Sequence, residues 1–166
     1  MQQVRKLLLA ILLIASCRGA SAQDSKGLDG SLGLHFPIRV SDAVDARIGF
    51  TGSLRYPVWT SPSSGKVSAQ LQYSLFTARG NRYVHLLLPE LEYTPNFFPN
   101  SRWEVGIGAG PLIAWNNANT NATDLGITLA LRYRLPRGSS AEVRYLRGPK
   151  EGESGILMSL VFPLHK

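Results

Sequence analysis

From Val44 to Trp59 the chain alternates. Val44, Ala46, Ile48, Phe50, Gly52, Leu54, Tyr56 and Val58 are apolar or small, and between them stand Asp45, Arg47, Gly49, Thr51, Ser53, Arg55 and Pro57. A period of two belongs to a β-strand, whose successive side chains point to opposite faces. A helix would put Arg47, Ser53 and Arg55 into its buried stripe. The pattern recurs along the chain. Ser31 to Arg39 carries Leu32, Leu34, Phe36 and Ile38 on one face, with Pro37 marking a strand end or bulge. Val67 to Leu75 sets Val67, Ala69, Leu71, Tyr73 and Leu75 against Ser68, Gln70, Gln72 and Ser74. Tyr83 to Tyr93 is blurred by Leu86-Leu87-Leu88 and Pro89. Arg102 to Trp115, Leu125 to Leu135, Ala141 to Tyr145 and Gly155 to Pro163 complete eight strands. The connections are Ser41-Asp42, Thr60 to Gly65, Arg79-Gly80-Asn81, Thr94 to Ser101, Asn116 to Thr123, Pro136 to Ser139 and Gly148 to Ser154, read from their Gly, Pro, Asn and Ser.

Eight neighbouring antiparallel strands with short connections and no helix predict an all-β fold. The specific expectation is an antiparallel up-and-down barrel, whose closure removes exposed sheet edges. Two barrels share this pattern. A soluble, lipocalin-like barrel turns its apolar face inward around an apolar ligand, whereas a transmembrane barrel turns it outward to lipid. The other face decides between them. It holds Asp45, Arg47, Arg55, Glu104, Arg132, Arg134, Glu142 and Arg144 among Gly49, Gly106, Gly108, Gly110 and Gly126. A solvated surface has little use for so many glycines. The narrow centre of an eight-stranded barrel needs them to admit long arginines. Charges enclosed there must be paired, and both signs are present. These eight residues are therefore the expected lumen charge network.

Trp103 and Trp115 share the outward face, ~40 Å apart along the strand and ~30 Å in depth at a ~40° tilt. Tyr83 and Tyr93 are ~25 Å apart by the same arithmetic. With Tyr133 and Tyr145 they are the expected aromatics of the two membrane interfaces.

Residues 1–22 read as a secretory signal: Arg5 and Lys6, an apolar run from Leu7 to Ala15, and a small-x-small site at Ala20-Ser21-Ala22. Ile14-Ala15-Ser16-Cys17 also resembles a lipoprotein box, but the downstream site favours removal of Cys17. Residues 23–30 then form a flexible lead-in, 31–163 the barrel and 164–166 a tail. Cys17 is the only cysteine, so a processed chain has no disulfide to hold it. The formal charge of +7 falls to +4 with Arg5, Lys6 and Arg18 removed. Its bases are spread over the strands, which argues against a nucleic-acid patch.

The remaining motifs point to no chemistry. Gly106-Ile107-Gly108-Ala109-Gly110 lacks nucleotide-loop spacing and a following helix. His35, His85 and His165 are scattered and have no metal-ligand spacing. No nucleophile elbow occurs. His35-Phe36-Pro37 and His85-Leu86-Leu87 lack the His-x-Ser of lipid A deacylases. Asn121-Ala122-Thr123 reads as a polar loop. No catalytic residue, metal or cofactor is expected, and the charged interior reads as a plug of ion pairs.

Gly155, Ile156, Met158, Leu160 and Phe162 resemble the closing strand of small outer-membrane β-barrel proteins of Gram-negative bacteria, of the eight-stranded OmpA/OmpX type. The likeness spans about residues 30–163 as a pattern, and departs from the family at Pro163-Leu164-His165-Lys166. It implies an integral barrel of the outer membrane with a structural or surface role. Its implied partners are outer-membrane lipids and, during insertion, the barrel-assembly machinery. A lipid-modifying outer-membrane enzyme and the lipocalin-like barrel are the alternatives.

Overall fold

The computed structural model describes residues 27–38, 47–78, 82–96, 101–116, 121–148 and 154–164. The signal segment 1–22 with Cys17, the Ser41-Asp42 and Arg79-Gly80-Asn81 turns, Asp45 and His165 lie outside the described residues. Eight strands form one closed barrel: β1 (Asp29–Pro37), β2 (Gly49–Ser61), β3 (Gly65–Ala78), β4 (Arg82–Pro95), β5 (Trp103–Asn116), β6 (Asn121–Arg134), β7 (Ser140–Arg147) and β8 (Gly155–Pro163). Each strand pairs antiparallel with the next, and β8 closes on β1, with Asp29 opposite Pro163 and Pro37 opposite Gly155. At one end, here the turn end, lie the 62–64 and 136–138 turns together with Asp29 and Pro163. The other is the loop end.

Several boundaries differ from the sequence reading. Asp29 and Gly30 belong to β1 and not to a lead-in, because they find partners on both sides, Arg55 and Leu54 on β2 and Pro163 and Phe162 on β8. Leu164 N donates to Leu28 O at 2.8 Å, which carries this contact past the strand ends. β1 ends at Pro37 and not at Arg39, and β2 begins at Gly49, with Arg47 and Ile48 outside the strand. Asn121 to Thr123 lie in β6, opposite Trp115 to Ile113, and not in a loop. In β2 the register shifts between Pro57 and Trp59, so Trp59 rather than Val58 is exposed. The 136–138 turn is tight enough to hold Arg137 at φ 66° and Gly138 at φ 82°, a left-handed conformation that is cheap only for glycine.

One lapse in the wall has a covalent cause. β4 and β5 pair from Val84↔Asn116 to Leu87↔Ile113 and again from Leu91↔Ala109 to Tyr93↔Ile107. In the same register Pro89 faces Pro111. A ladder bond there needs an N–H from each, and proline has none.

The apolar face points outward. Ile127, Leu129 and Leu131 are 44%, 53% and 44% exposed, while Arg132 and Glu142 are 0% and 5% exposed. This excludes the inward-facing arrangement of a lipocalin-like barrel. The interior has two layers. Phe76, Leu86, Leu88, Leu112, Ala114, Leu146 and Leu157 cluster in the half near the loop end. The buried charges fill the half near the turn end.

Candidate functional site

In the charged layer Arg132 and Arg144 are fully enclosed. Arg132 comes from β6 and Arg144 from the facing strand β7, each at a position whose parity points inward. Arg132 Nε donates to Glu142 Oε2 at 2.5 Å, and its Nη2 donates to Glu92 Oε1 at 2.5 Å. Arg144 Nη2 donates to Glu92 Oε2 at 2.6 Å and to Gln70 Oε1 at 3.0 Å, its Nε reaches Glu142 Oε1 at 3.1 Å, and its Nη1 holds Glu90. Arg55 bonds Asp29 at 3.1 Å and lies 3.8 Å from Glu92 and 3.7 Å from Glu142. Thr128 and Thr94 donate to Glu90 and Glu92 at 2.6 and 3.2 Å. Buried carboxylates and guanidiniums thus satisfy one another, as a low-dielectric interior demands.

The glycines of β5 make the room. A Cβ on Gly106 would stand 2.9 Å from the Glu92 carboxyl, and one on Gly108 2.5 Å from Glu90 Oε2 and 2.6 Å from Thr128 Oγ1.

A second group sits at the turn-end rim. Glu104 Oε2 accepts from Lys66 Nζ at 3.3 Å, and Glu104 Oε1 accepts from Arg134 Nε at 2.8 Å. A cavity of about 190 Å³ opens beside it, between the 62–65 turn, the end of β4 and the start of β5.

Of the expected lumen network, Arg55, Arg132, Glu142 and Arg144 form the centre, and Glu104 and Arg134 form the rim group. Arg47 does not belong to it. The residue is exposed and precedes β2, with its N–H donating to Thr77 O at 2.8 Å. Asp45 lies outside the described residues. Sequence reading missed Glu90 and Glu92, the central acids. Their signal was the alternation Glu90-Leu91-Glu92-Tyr93-Thr94, masked by the three leucines before it. It also missed His35, which is fully enclosed in the loop-end half. His35 lies edge-on to Phe76 with ring centroids 5.0 Å apart, and neither ring nitrogen has a hydrogen-bond partner among the described residues.

The expected interface aromatics all lie on the outward face. Trp103 and Tyr133 pack together at 4.8 Å near the turn end, where Tyr93 donates to Ser64 O at 2.5 Å. Near the loop end Trp115 stacks on His85 at 5.2 Å, His85 Nδ1 meets the Tyr73 hydroxyl at 2.8 Å, and Tyr83 is exposed. Tyr145 stands between Leu129 and Ile156.

An apolar exterior around an ion-paired centre, closed strand to strand, is the fold of the eight-stranded transmembrane β-barrels. Solved structures share it. The N-terminal β-barrel domain of Pseudomonas aeruginosa OprF aligns at TM-score 0.54 and 14% identity, over 84% of this chain and 98% of its own. The Yersinia pestis outer membrane protein Ail, determined in a phospholipid bilayer nanodisc, aligns at TM-score 0.53 and 10% identity, over 84% of this chain and all of its own. A de novo designed transmembrane β-barrel aligns at TM-score 0.57 and 14% identity, over 87% of this chain and all of its own. At these identities the likeness is one of fold. No family model matches the sequence, and no curated protein matches it.

Proposed function

We propose that this chain is an integral outer-membrane barrel that works without catalysis, as a closed cylinder holding its loop-end connections at the cell surface in an envelope or surface-interaction role. The observation that carries this reading is the inversion of the molecule, with leucine, isoleucine and valine outside and paired arginine and glutamate inside. Such an exterior is stable only against hydrocarbon. The secretory pattern of residues 1–22 agrees with export. Insertion by the barrel-assembly machinery through β8 belongs to the same reading. The filled interior argues for a plug over a pore. The histidines argue against lipid chemistry, since His35 is walled in beside Phe76 and His85 is engaged by Tyr73 and Trp115.

Fractionation of a Gram-negative host tests the proposal. The protein is expected in the outer-membrane fraction, migrating faster on a denaturing gel when unheated than when boiled. Recovery from the soluble periplasm would overturn the membrane reading. Mass spectra of lipid A from cells carrying His35→Ala or His85→Ala are expected to match those with the unaltered protein. A modification lost in either would overturn the non-catalytic reading.

A further inference from the structure

The cavity at the turn-end rim differs from the rest of the lumen, because residues of both faces of the wall line it. Pairing of β4 with β5 stops at Tyr93↔Ile107, although β5 runs on to Trp103 and β4 to Pro95. In the same register Pro95 faces Val105 and has no N–H to give the ladder, and the cavity beside it is lined both by inward residues, Lys66, Thr94, Glu104 and Arg134, and by the outward Trp103 and Val105. Trp103 and Val105 are exposed on the apolar face. Water at the lumen mouth and lipid at the wall therefore meet at one site.

Its charge is unbalanced. Two cations, Lys66 and Arg134, share one carboxylate, Glu104. The Arg134 side chain is 57% exposed, and an ammonium and a guanidinium carry more N–H donors than one carboxylate can take. Arg102 adds a third cation nearby, its Nη1 3.5 Å from the Tyr133 hydroxyl that packs on Trp103. The volume is below the ~300 Å³ of a pocket that encloses a whole small molecule. It suits one charged group with the remainder of its molecule outside. Interface aromatics mark the depth of lipid headgroups, and Trp103 and Tyr133 set that depth here.

We propose that this lateral notch binds the phosphate of a phospholipid from the leaflet at the turn end, held by Lys66 and Arg134, with the acyl chains lying along Trp103 and Val105. A free phosphate would use the two cations and have no use for the apolar lip. The proposal rests on the membrane reading above.

Native mass spectrometry of the detergent-purified protein, incubated with phosphatidylglycerol, tests it. One lipid is expected to stay bound, whereas diacylglycerol with the same chains is not. Lys66→Gln with Arg134→Gln is expected to lower retention at least tenfold. Glu104→Gln, which removes the competing carboxylate, is expected to raise it severalfold. Arg147→Gln, at the far end of β7, is expected to change nothing. Glycerol phosphate at equal concentration is expected not to displace the lipid, and displacement would overturn the lipid as source. Retention that ignores both rim variants, or that falls in Glu104→Gln, would overturn the site. Should the double variant fail to fold, the rise in Glu104→Gln decides alone. Heat-modifiable migration of each sample separates the two readings. A barrel that fails to form strikes at the membrane reading, and a folded barrel that keeps no lipid strikes only at the notch.

Discussion

Arg132 shows what a single side chain is worth in this interior. It is bonded to Glu92 and Glu142 and wholly enclosed. Arg132→Leu keeps the bulk but strands two carboxylates on the remaining arginines. Removing one partner of a buried pair costs about 3–5 kcal/mol, and urea unfolding in detergent is expected to show a loss of that order. Arg134→Gln is expected to cost under ~1 kcal/mol in the same assay, because the side chain stands largely in solvent, where ion pairs are screened. Equal losses would mean that the two layers of charge are not distinguished by burial. At this scale part of the site was legible. Arg55, Arg132, Glu142 and Arg144 have inward parity on cleanly alternating strands. Arg47 has the same parity and is exposed ahead of β2, because parity says which way a residue points and not where the barrel ends.

At the scale of the element, β4 is the instructive strand. It was the least readable in sequence, yet it carries Glu90 and Glu92 inward together with Leu86 and Leu88. Three consecutive leucines hide a period of two because, at that depth, both faces of the wall are apolar: lipid outside and the Phe76–Leu112–Leu146 cluster inside. Leu112-Ile113-Ala114 and Ile156-Leu157-Met158 are runs of the same origin. The alternation was a reliable guide only beside the charged layer. β4 also forms the interrupted seam with β5. Replacing both Pro89 and Pro111 by valine supplies the two missing donors, each worth about 0.5–1.5 kcal/mol. The double variant is expected to resist urea better than the parent, with its new amides at positions 89 and 111 protected from exchange. A destabilised variant would mean that the prolines hold the wall in a shape the ladder cannot take.

For the whole molecule, two unlike layers lie in series along the lumen, one apolar and one of bonded arginines and glutamates. An apolar layer offers an ion no hydration, and the bonded side chains of the charged layer occupy the centre of the barrel, which together argue for a plug. Reconstituted into a planar bilayer, the protein is expected to show no steady conductance. Leu86→Ala with Leu112→Ala is expected to stay closed as well, since the arginine–glutamate layer remains, while losing about 2–5 kcal/mol of stability for each leucine. Ohmic current through the parent would mean that the side chains of both layers part readily.

The amino-acid order alone determined the strands and the two faces of each, because a period of two is a local property of the pleated backbone. It placed glycines on the inward face, of which Gly106 and Gly108 make room for the charged layer, while Gly49 and Gly126 admit Phe76, Leu88 and Leu112 instead of arginines. The glycines and two-signed charges of the polar face also assigned the apolar face to the outside; the tertiary structure decided how high in the wall each strand stops and which acids meet which bases. Those choices depend on residues far apart in the chain, such as Glu92 and Arg132, being brought face to face by closure. The layering of the interior, the burial of His35 and the rim notch arise in the same way, from register around the cylinder, which no stretch of the chain contains by itself.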